Sequence, residues 1–427
     1  LSEMRLEKAS RLRGELRVPG DKSISHRIAL LGALADGTSQ ASGFLDSLDT
    51  RSTLEALTAL GVSWSLQGDV LEVEGKGYQG LREPGDVIDV GNSGTTIRLL
   101  SGILAACPFF CVLTGDGSIR RRPMLRIVEP LRKMGAVVEG RKGGELAPLA
   151  IRGGGLRGID FTMPVPSAQV KSALILAALA AEGTTAIRGD RGSRDHTERM
   201  ARRMGADLEV SEGLILVRPS TLKAVKTEVP GDFSSASFFM AAAVLVPSSE
   251  VYLRDVGLNP TRAGFLGVIN SMGAMVMEEG YRSEDLEPRG NLMARGASLR
   301  GVEVEGWRVP SLIDELPLLA VVATQAQGET RVRGAAELRH KESDRIRAVV
   351  EELRKMGADI AEESDGFTVR GKTRLRGARV YSHGDHRIAM SLAVAALCAE
   401  GETIIEGWEC VDISYPGFAE DLAALLG

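Results

Sequence analysis

The densest chemistry in the sequence lies in Arg339-His340-Lys341-Glu342-Ser343-Asp344-Arg345, which sets four basic side chains among two carboxylates. Read as the head of a helix, this stretch puts Lys341 and Arg345 on one face, four apart, with Glu342 about a third of a turn away. A solvated face with internal ion pairs would use the same residues. Asp314 weighs against that reading, because in Ile313-Asp314-Glu315 a carboxylate stands directly ahead of an apolar Leu-Pro-Leu-Leu run. Two carboxylates among cations are what general acid–base chemistry needs, one taking a proton while the other gives one. Asp385-His386-Arg387 adds a further cation at the start of another apolar helix.

The N-terminal half holds a second group. Gly20-Asp21-Lys22-Ser23 lacks the upstream glycine of a nucleotide phosphate loop. What remains is a helix start carrying Lys22, Ser23, Ser25 and Arg27, suited to a phosphate or carboxylate. An N-cap with two solvated cations would look the same. Gly91-Asn92-Ser93-Gly94-Thr95-Thr96 opens another helix, where glycine admits a ligand to the backbone and Asn92 can both donate and accept. Ser167, Ala168 and Gln169 repeat the theme with Lys171 nearby, and Arg194 and His196 head a further helix. Arg120-Arg121-Arg122-Pro123 follows a Gly-Asp-Gly turn; three adjacent cations either line a solvated loop or wait for an anion.

Metal chemistry finds little support. His383 and His386 are spaced HxxH and Cys107 and Cys111 CxxxC, but neither pair has the second pair a closed zinc site requires. The two cysteines lie in the apolar CPFFCVL, suited to burial rather than to nucleophilic work. No metal and no cofactor are expected.

These residues share one position in a repeated plan. Six apolar, alanine-rich helices are expected to open at Asp21, Gly91, Pro166, Gly231, Asp314 and Gly384, each from a polar turn. Helices this apolar must be buried, so their polar first turns are where they reach a wet cleft. A second helix in each unit ends at a glycine stop: Gly61, Gly135, Gly205, Gly273, Gly357 and Gly427. Successive stops lie 68 to 84 residues apart, too long for a solenoid repeat and long enough for a βαβαββ unit.

The sixth unit reaches Gly427 without closing strands. The segment from Leu12, LRGELRVPGDKS, resembles those from Leu222 and Leu156, so it is expected to complete that unit. VPGD at Val18–Asp21 recurs at Val229–Asp232 and splits six units into two groups of three. The expected domains are therefore 1–19 with 231–427, discontinuous, around an inserted 20–230, with Pro-Gly crossings that could hinge.

Composition agrees with an α/β protein of two or more domains: 427 residues, 44% apolar and 4% aromatic. A net charge of −5 argues against a generic nucleic-acid binder. No apolar run suits a membrane span and residues 1–36 show no signal pattern, so no membrane partner is expected. Four cysteines without a disulfide framework point to a reducing cytoplasm.

Taken together, DKSISHR, GNSGTT, the Arg-Pro after GDGS, PSAQ, SRDHTE, the isolated Asp314, HKESDR and GDHR resemble the 5-enolpyruvylshikimate-3-phosphate synthase family. The motifs occur in family order and span nearly the whole chain. The resemblance implies a two-domain inside-out α/β barrel, three βαβαββ repeats per domain, with the active site in the interdomain cleft. The implied reaction moves the enolpyruvyl group of phosphoenolpyruvate to the 5-hydroxyl of shikimate 3-phosphate, by addition and then elimination of phosphate. Both substrates are phosphorylated and carboxylated, which would explain the gathered cations and helix starts.

By position, the resemblance implies phosphoenolpyruvate contacts from Lys22, Asn92, Gly94, Arg122, Gln169, Arg345 and Arg387. It implies shikimate 3-phosphate contacts from Lys22, Ser23, Arg27, Ser167, Ala168, Gln169, Arg194, Asp314 and Lys341. Asp314 would accept the hydroxyl proton, Glu342 would serve the methylene carbon, and Lys22 would assist the leaving phosphate. Gly94 would leave room for the competitive inhibitor glyphosate. A monomer is expected. Two positions depart from the family pattern: Ile413 stands where some members place a phosphate-binding lysine, and Ser193 and His196 replace a Ser and Tyr pair. The nearest alternative is the sister transferase acting on UDP-N-acetylglucosamine, whose usual loop cysteine reads here as Gly117. A non-catalytic repeat scaffold is the alternative of another class.

Overall fold

The computed structural model describes residues 2–190, 192–283 and 286–427. Six helices are buried nearly all round: Lys22–Leu34, Gly94–Ala105, Ala168–Ala178, Phe233–Leu245, Leu316–Gln325 and His386–Ala396. Their polar starts are caps. In the two VPGD turns, Asp21 accepts from the Ile24 N–H and Asp232 from the Ser235 N–H, both at 2.9 Å. Ser93, Ser167 and Asp385 cap three others. The Leu316 helix has no side-chain cap; Asp314 sits in a 3-10 turn, Ile313–Glu315, just ahead of it.

Each inner helix is followed, after a strand, by an outer one: Leu48–Ala59, Leu125–Met134, His196–Arg203, Gly264–Ser271, Arg345–Lys355 and Phe418–Leu426. All six glycine stops have φ between 84° and 112°, the left-handed region that only glycine enters cheaply. The second repeat shows the plan. Ile88–Asp89 runs parallel to Phe110–Thr114, which pairs antiparallel with Leu146–Arg152, which pairs antiparallel with Val137–Gly140. The third and fifth repeats copy this order.

The first and fourth repeats exchange their leading strands. Arg13–Leu16 leads into the Lys22 helix yet pairs in parallel with Glu250–Gly257. Lys226–Glu228 leads into the Phe233 helix yet pairs in parallel with Thr38–Ser42. This corrects the reading of the Leu12 segment, which joins the fourth repeat and not the sixth. Chain geometry at the crossover explains it: the Asp232 N–H donates to the Pro19 carbonyl at 2.8 Å, so that segment leaves beside the fourth repeat's helix. The sixth repeat is completed from further upstream, where Glu3–Leu6 pairs antiparallel with Thr403–Glu406.

The chain forms two compact units, Leu1–Pro19 with Pro230–Gly427, and Gly20–Val229. Each holds three repeats, with helices inside and sheets outside. Strands such as Val70–Glu74 bury alternate residues against the helices. In the Gly20–Val229 unit, Gly102 lets two inner helices touch: an added Cβ would lie 2.1 Å from the Ala173 carbonyl oxygen. In the other unit, Phe238, Phe239, Tyr415 and Phe418 stack edge-on and tilted in the core. No helix among the described residues is long and apolar enough to cross a membrane.

Candidate active site

In the Gly20–Val229 unit, three inner helices begin at expected site residues: Lys22, Gly94 and Ala168. Lys22 is mostly buried and its Nζ lies 2.9 Å from Asp49 Oδ2. Burial works against the Asp49 charge, but the Lys22 ammonium and then His26 hold its carboxyl well below the usual range. A buried relay joins His26 Nδ1 to Thr53 (2.7 Å), Thr53 to Thr96 (2.6 Å) and Thr96 to Ser93 (2.6 Å). It fastens the Lys22 helix to the cap of the Gly94 helix.

Arg27 is 4% exposed and firmly anchored. It donates to Thr197 Oγ1 (2.7 Å), the Ser23 carbonyl (2.9 Å) and Ser172 Oγ (3.0 Å). Ser23 and Arg27 thus share the first turns of one helix. Ser167 caps the third helix and Ala168 is its first residue. Arg194 stands partly exposed just ahead of the His196–Arg203 helix, whose Thr197 holds Arg27.

The run of three arginines divides. Arg120 and Arg121 are exposed, whereas Arg122 is 6% exposed and donates to Asn92 Oδ1 (3.0 Å) and Ser118 Oγ (3.1 Å). Asn92 in turn donates to Asp116 at 2.6 Å. Arg98, one turn inside the Gly94 helix, donates to Gln169 Oε1 at 2.6 Å. A Cβ at Gly94 would come within 2.7 Å of Arg122 Nη1 and 3.1 Å of Arg98 Nη1. Gly94 therefore sits between two guanidinium groups, at a helix N-terminus, as an anion site requires.

In the other unit the organiser is Arg345, 1% exposed. It donates to Asp385 Oδ2 (2.8 Å), Asp314 Oδ1 (2.9 Å) and Glu342 Oε2 (2.6 Å). Burial disfavours its charge, but Asp385, Glu342 and Asp314 more than offset this and raise its pKa. Burial likewise opposes the Asp385 charge, and Arg345 still holds that carboxyl below its ordinary value. Arg387 lies 3.8 Å from Asp314 and 3.5 Å from Glu315, while Arg262 bonds Glu315 at 3.0 Å. Burial lowers Lys341 below the ordinary lysine range, against the pull of Asp314 and Glu337.

One local expectation is corrected here. Lys341 and Arg345 do not share a helical face, because Asp344 caps the helix and Lys341 is extended ahead of it. The Asp344 side chain accepts from the Arg347 N–H at 3.1 Å, which fixes Arg345 as the first helical residue. Glu342 reaches Arg345 across that cap.

The structure brings Lys22 with Asp49, and Asn92 and Gly94 with Arg122. It also joins Ser23 to Arg27, and Asp314, Glu342 and Arg387 to the Arg345 cluster. Sequence reasoning passed over Arg98, Asp49, Glu315 and Arg262. Arg98 had a signal, a lone cation in an apolar helix four residues past Gly94. Asp49 had none, since an acid in a first helical turn reads as ordinary capping. Ile413 packs against the apolar core, so that position supplies no cation. Burial pushes the Cys107 and Cys111 thiols up to about 12, which leaves them unreactive. Among the described residues, metal-ligand atoms converge at Glu351, Glu352 and His383, a group without His386. Lys355 already lies 2.7 Å from Glu352, and Arg347 2.6 Å from Glu351.

A family model described as EPSP synthase (3-phosphoshikimate 1-carboxyvinyltransferase) matches residues 6–422. The chain is 51% identical over 420 residues to the 3-phosphoshikimate 1-carboxyvinyltransferase of Geobacillus kaustophilus, covering 98% of each. It is 47% identical to that of Bacillus cytotoxicus, covering 100% of both chains. Among solved structures, EPSP synthase from Acinetobacter baumannii aligns with a TM-score of 0.88 at 40% identity, covering 99% of this chain and 98% of that one. With its six repeats, its paired carboxylates and its cation-lined helix starts, the chain belongs to the EPSP synthase family.

Proposed function

We propose that this chain transfers the enolpyruvyl group of phosphoenolpyruvate to the 5-hydroxyl of shikimate 3-phosphate. The observation that carries the reading is Arg345, a buried guanidinium holding Asp314, Glu342 and Asp385 at once. It orients two carboxylates beside Arg387, as proton exchange around anionic substrates demands.

In the addition step the 5-oxygen bonds C2 of phosphoenolpyruvate. Asp314 takes the hydroxyl proton and Glu342 delivers one to C3, making a tetrahedral intermediate. In the elimination step the C2–O bond to phosphate breaks, and Glu342 takes a proton back from C3, restoring the double bond. The hydroxyl proton departs with phosphate, whose charge Lys22 offsets. Arg122, Asn92, Gly94, Gln169, Arg345 and Arg387 hold phosphoenolpyruvate in this reading. Ser23, Arg27, Ser167, Ala168, Gln169, Arg194, Asp314, Lys341 and Lys22 hold the shikimate substrate. Glyphosate acts as a competitive inhibitor, the chain works as a monomer, and its free cysteines fit a reducing compartment.

The test is phosphate release from phosphoenolpyruvate with each acceptor in turn. Turnover is expected with shikimate 3-phosphate. Turnover with UDP-N-acetylglucosamine alone would favour the sister reaction, and none with either would favour a scaffold.

A further inference from the structure

Lys171 lies outside the machinery just described, yet it is completely buried on the Ala168–Ala178 helix. Its ammonium bonds Asp190 Oδ2 (2.6 Å) and the Ser193 carbonyl (2.9 Å), and pairs with Glu198 Oε1 at 2.7 Å. Three donors meet three acceptors, so the group is saturated and has no capacity left for a ligand. Its partners are informative. Asp190 also accepts from the Ser193 N–H at 3.2 Å, so lysine and aspartate together clamp the turn leading to Arg194.

Glu198 follows Thr197, and Lys171 precedes Ser172. Thr197 and Ser172 lie 2.6 Å apart and are the two hydroxyls that hold the Arg27 guanidinium. The Lys171–Glu198 pair therefore sets the spacing of two helices at the point where Arg27 is gripped. Ser193 is 5% exposed, and its hydroxyl has no hydrogen-bond partner among the described residues. A buried hydroxyl left open beside a clamped turn is costly unless something occupies it.

We propose that Lys171 is a positioning residue for the shikimate 3-phosphate side of the reaction. Through Asp190 and Ser193 it sets the turn that presents Ser193 and Arg194, and through Glu198 it sets the Thr197–Ser172 grip on Arg27. This rests on the function proposed above. A buried lysine removed alone leaves two carboxylates unpaired, and such a variant risks misfolding. Lys171→Met is therefore paired with Lys171→Met/Asp190→Asn/Glu198→Gln, which removes all three charges and keeps the volumes.

The experiment measures KM for each substrate, kcat, and wild-type binding of shikimate 3-phosphate by calorimetry. In whichever variant folds, KM for shikimate 3-phosphate should rise by about 10-fold or more, the loss of one charge-assisted contact. KM for phosphoenolpyruvate should stay within about 2-fold, because Arg122 and Gly94 are held by other partners. Equal rises in both KM values would mark Lys171 as a general fold element and overturn the proposal, as would an unchanged KM for shikimate 3-phosphate. Absence of wild-type binding would instead remove the functional reading beneath it.

Discussion

Replacing Gly94 by alanine gives a perturbation whose geometry is set in advance. The added methyl would lie 2.7 Å from Arg122 Nη1 and 3.1 Å from Arg98 Nη1. Ordinary contact between heavy atoms needs about 3.5 Å, so the Arg122 guanidinium must retreat by about 0.8 Å. It cannot do so freely, being 6% exposed and bonded to Asn92 and Ser118. A shift near 1 Å in a positioning group costs up to about 100-fold, so some loss for phosphoenolpyruvate is expected. The inhibitor should lose more. Between its phosphorus and its carboxylate, glyphosate is one atom longer than phosphoenolpyruvate, and a methyl that shortens the site falls on the longer molecule. One methyl in a close-fitting site discriminates by about 10- to 200-fold. Steady-state phosphate release, with phosphoenolpyruvate varied at several glyphosate concentrations, separates the two effects. The ratio of inhibition constant to KM should rise at least about 10-fold. An unchanged ratio would show that space beside Gly94 does not govern the choice.

Further predictions concern the two charge clusters. Arg345→Lys keeps the positive charge but replaces a guanidinium fork that reaches three carboxylates with a compact ammonium on a different stem, and should lose about two charge-assisted bonds. That amounts to about 3 kcal/mol or more, so kcat should fall by about 100-fold or more; a loss under 10-fold in a folded variant would contradict the organising role. Asp49 has its pKa lowered in the folded chain, so its stabilisation is complete above the unfolded value near pH 4 and is lost as pH falls toward the folded value. Asp49→Asn should lower the melting temperature at neutral pH, with the gap to wild type closing below about pH 4. A gap independent of pH would count against the Lys22–Asp49 pair.

The repeat plan was legible because each repeat obeys the same local physics. In five of the six an aspartate or serine cap precedes the apolar run, and in all six a glycine with positive φ ends the following helix. The strand exchange between the first and fourth repeats was not legible, since VPGD marks a crossover without stating which sheet the preceding strand joins. Site residues at helix starts could be named from motif position. Asp49 could not, because its importance lies in a contact to a distant segment, Lys22; Arg98 stood out as a lone cation in an apolar helix, but its pairing with Gln169 did not. The Arg339–Arg345 stretch shows the limit of periodicity: Asp344 is a cap, so the residues before it follow the turn and not the helix.

In the proposed mechanism Asp314 and Glu342 move protons while Arg345 holds them in place. Single-turnover phosphate release by Asp314→Asn and Glu342→Gln, with shikimate 3-phosphate binding measured alongside, tests it most directly. Both variants should release phosphate about 100-fold more slowly or worse, as loss of an acid–base group does, while the substrate still binds. Wild-type release rates in either variant would contradict the mechanism.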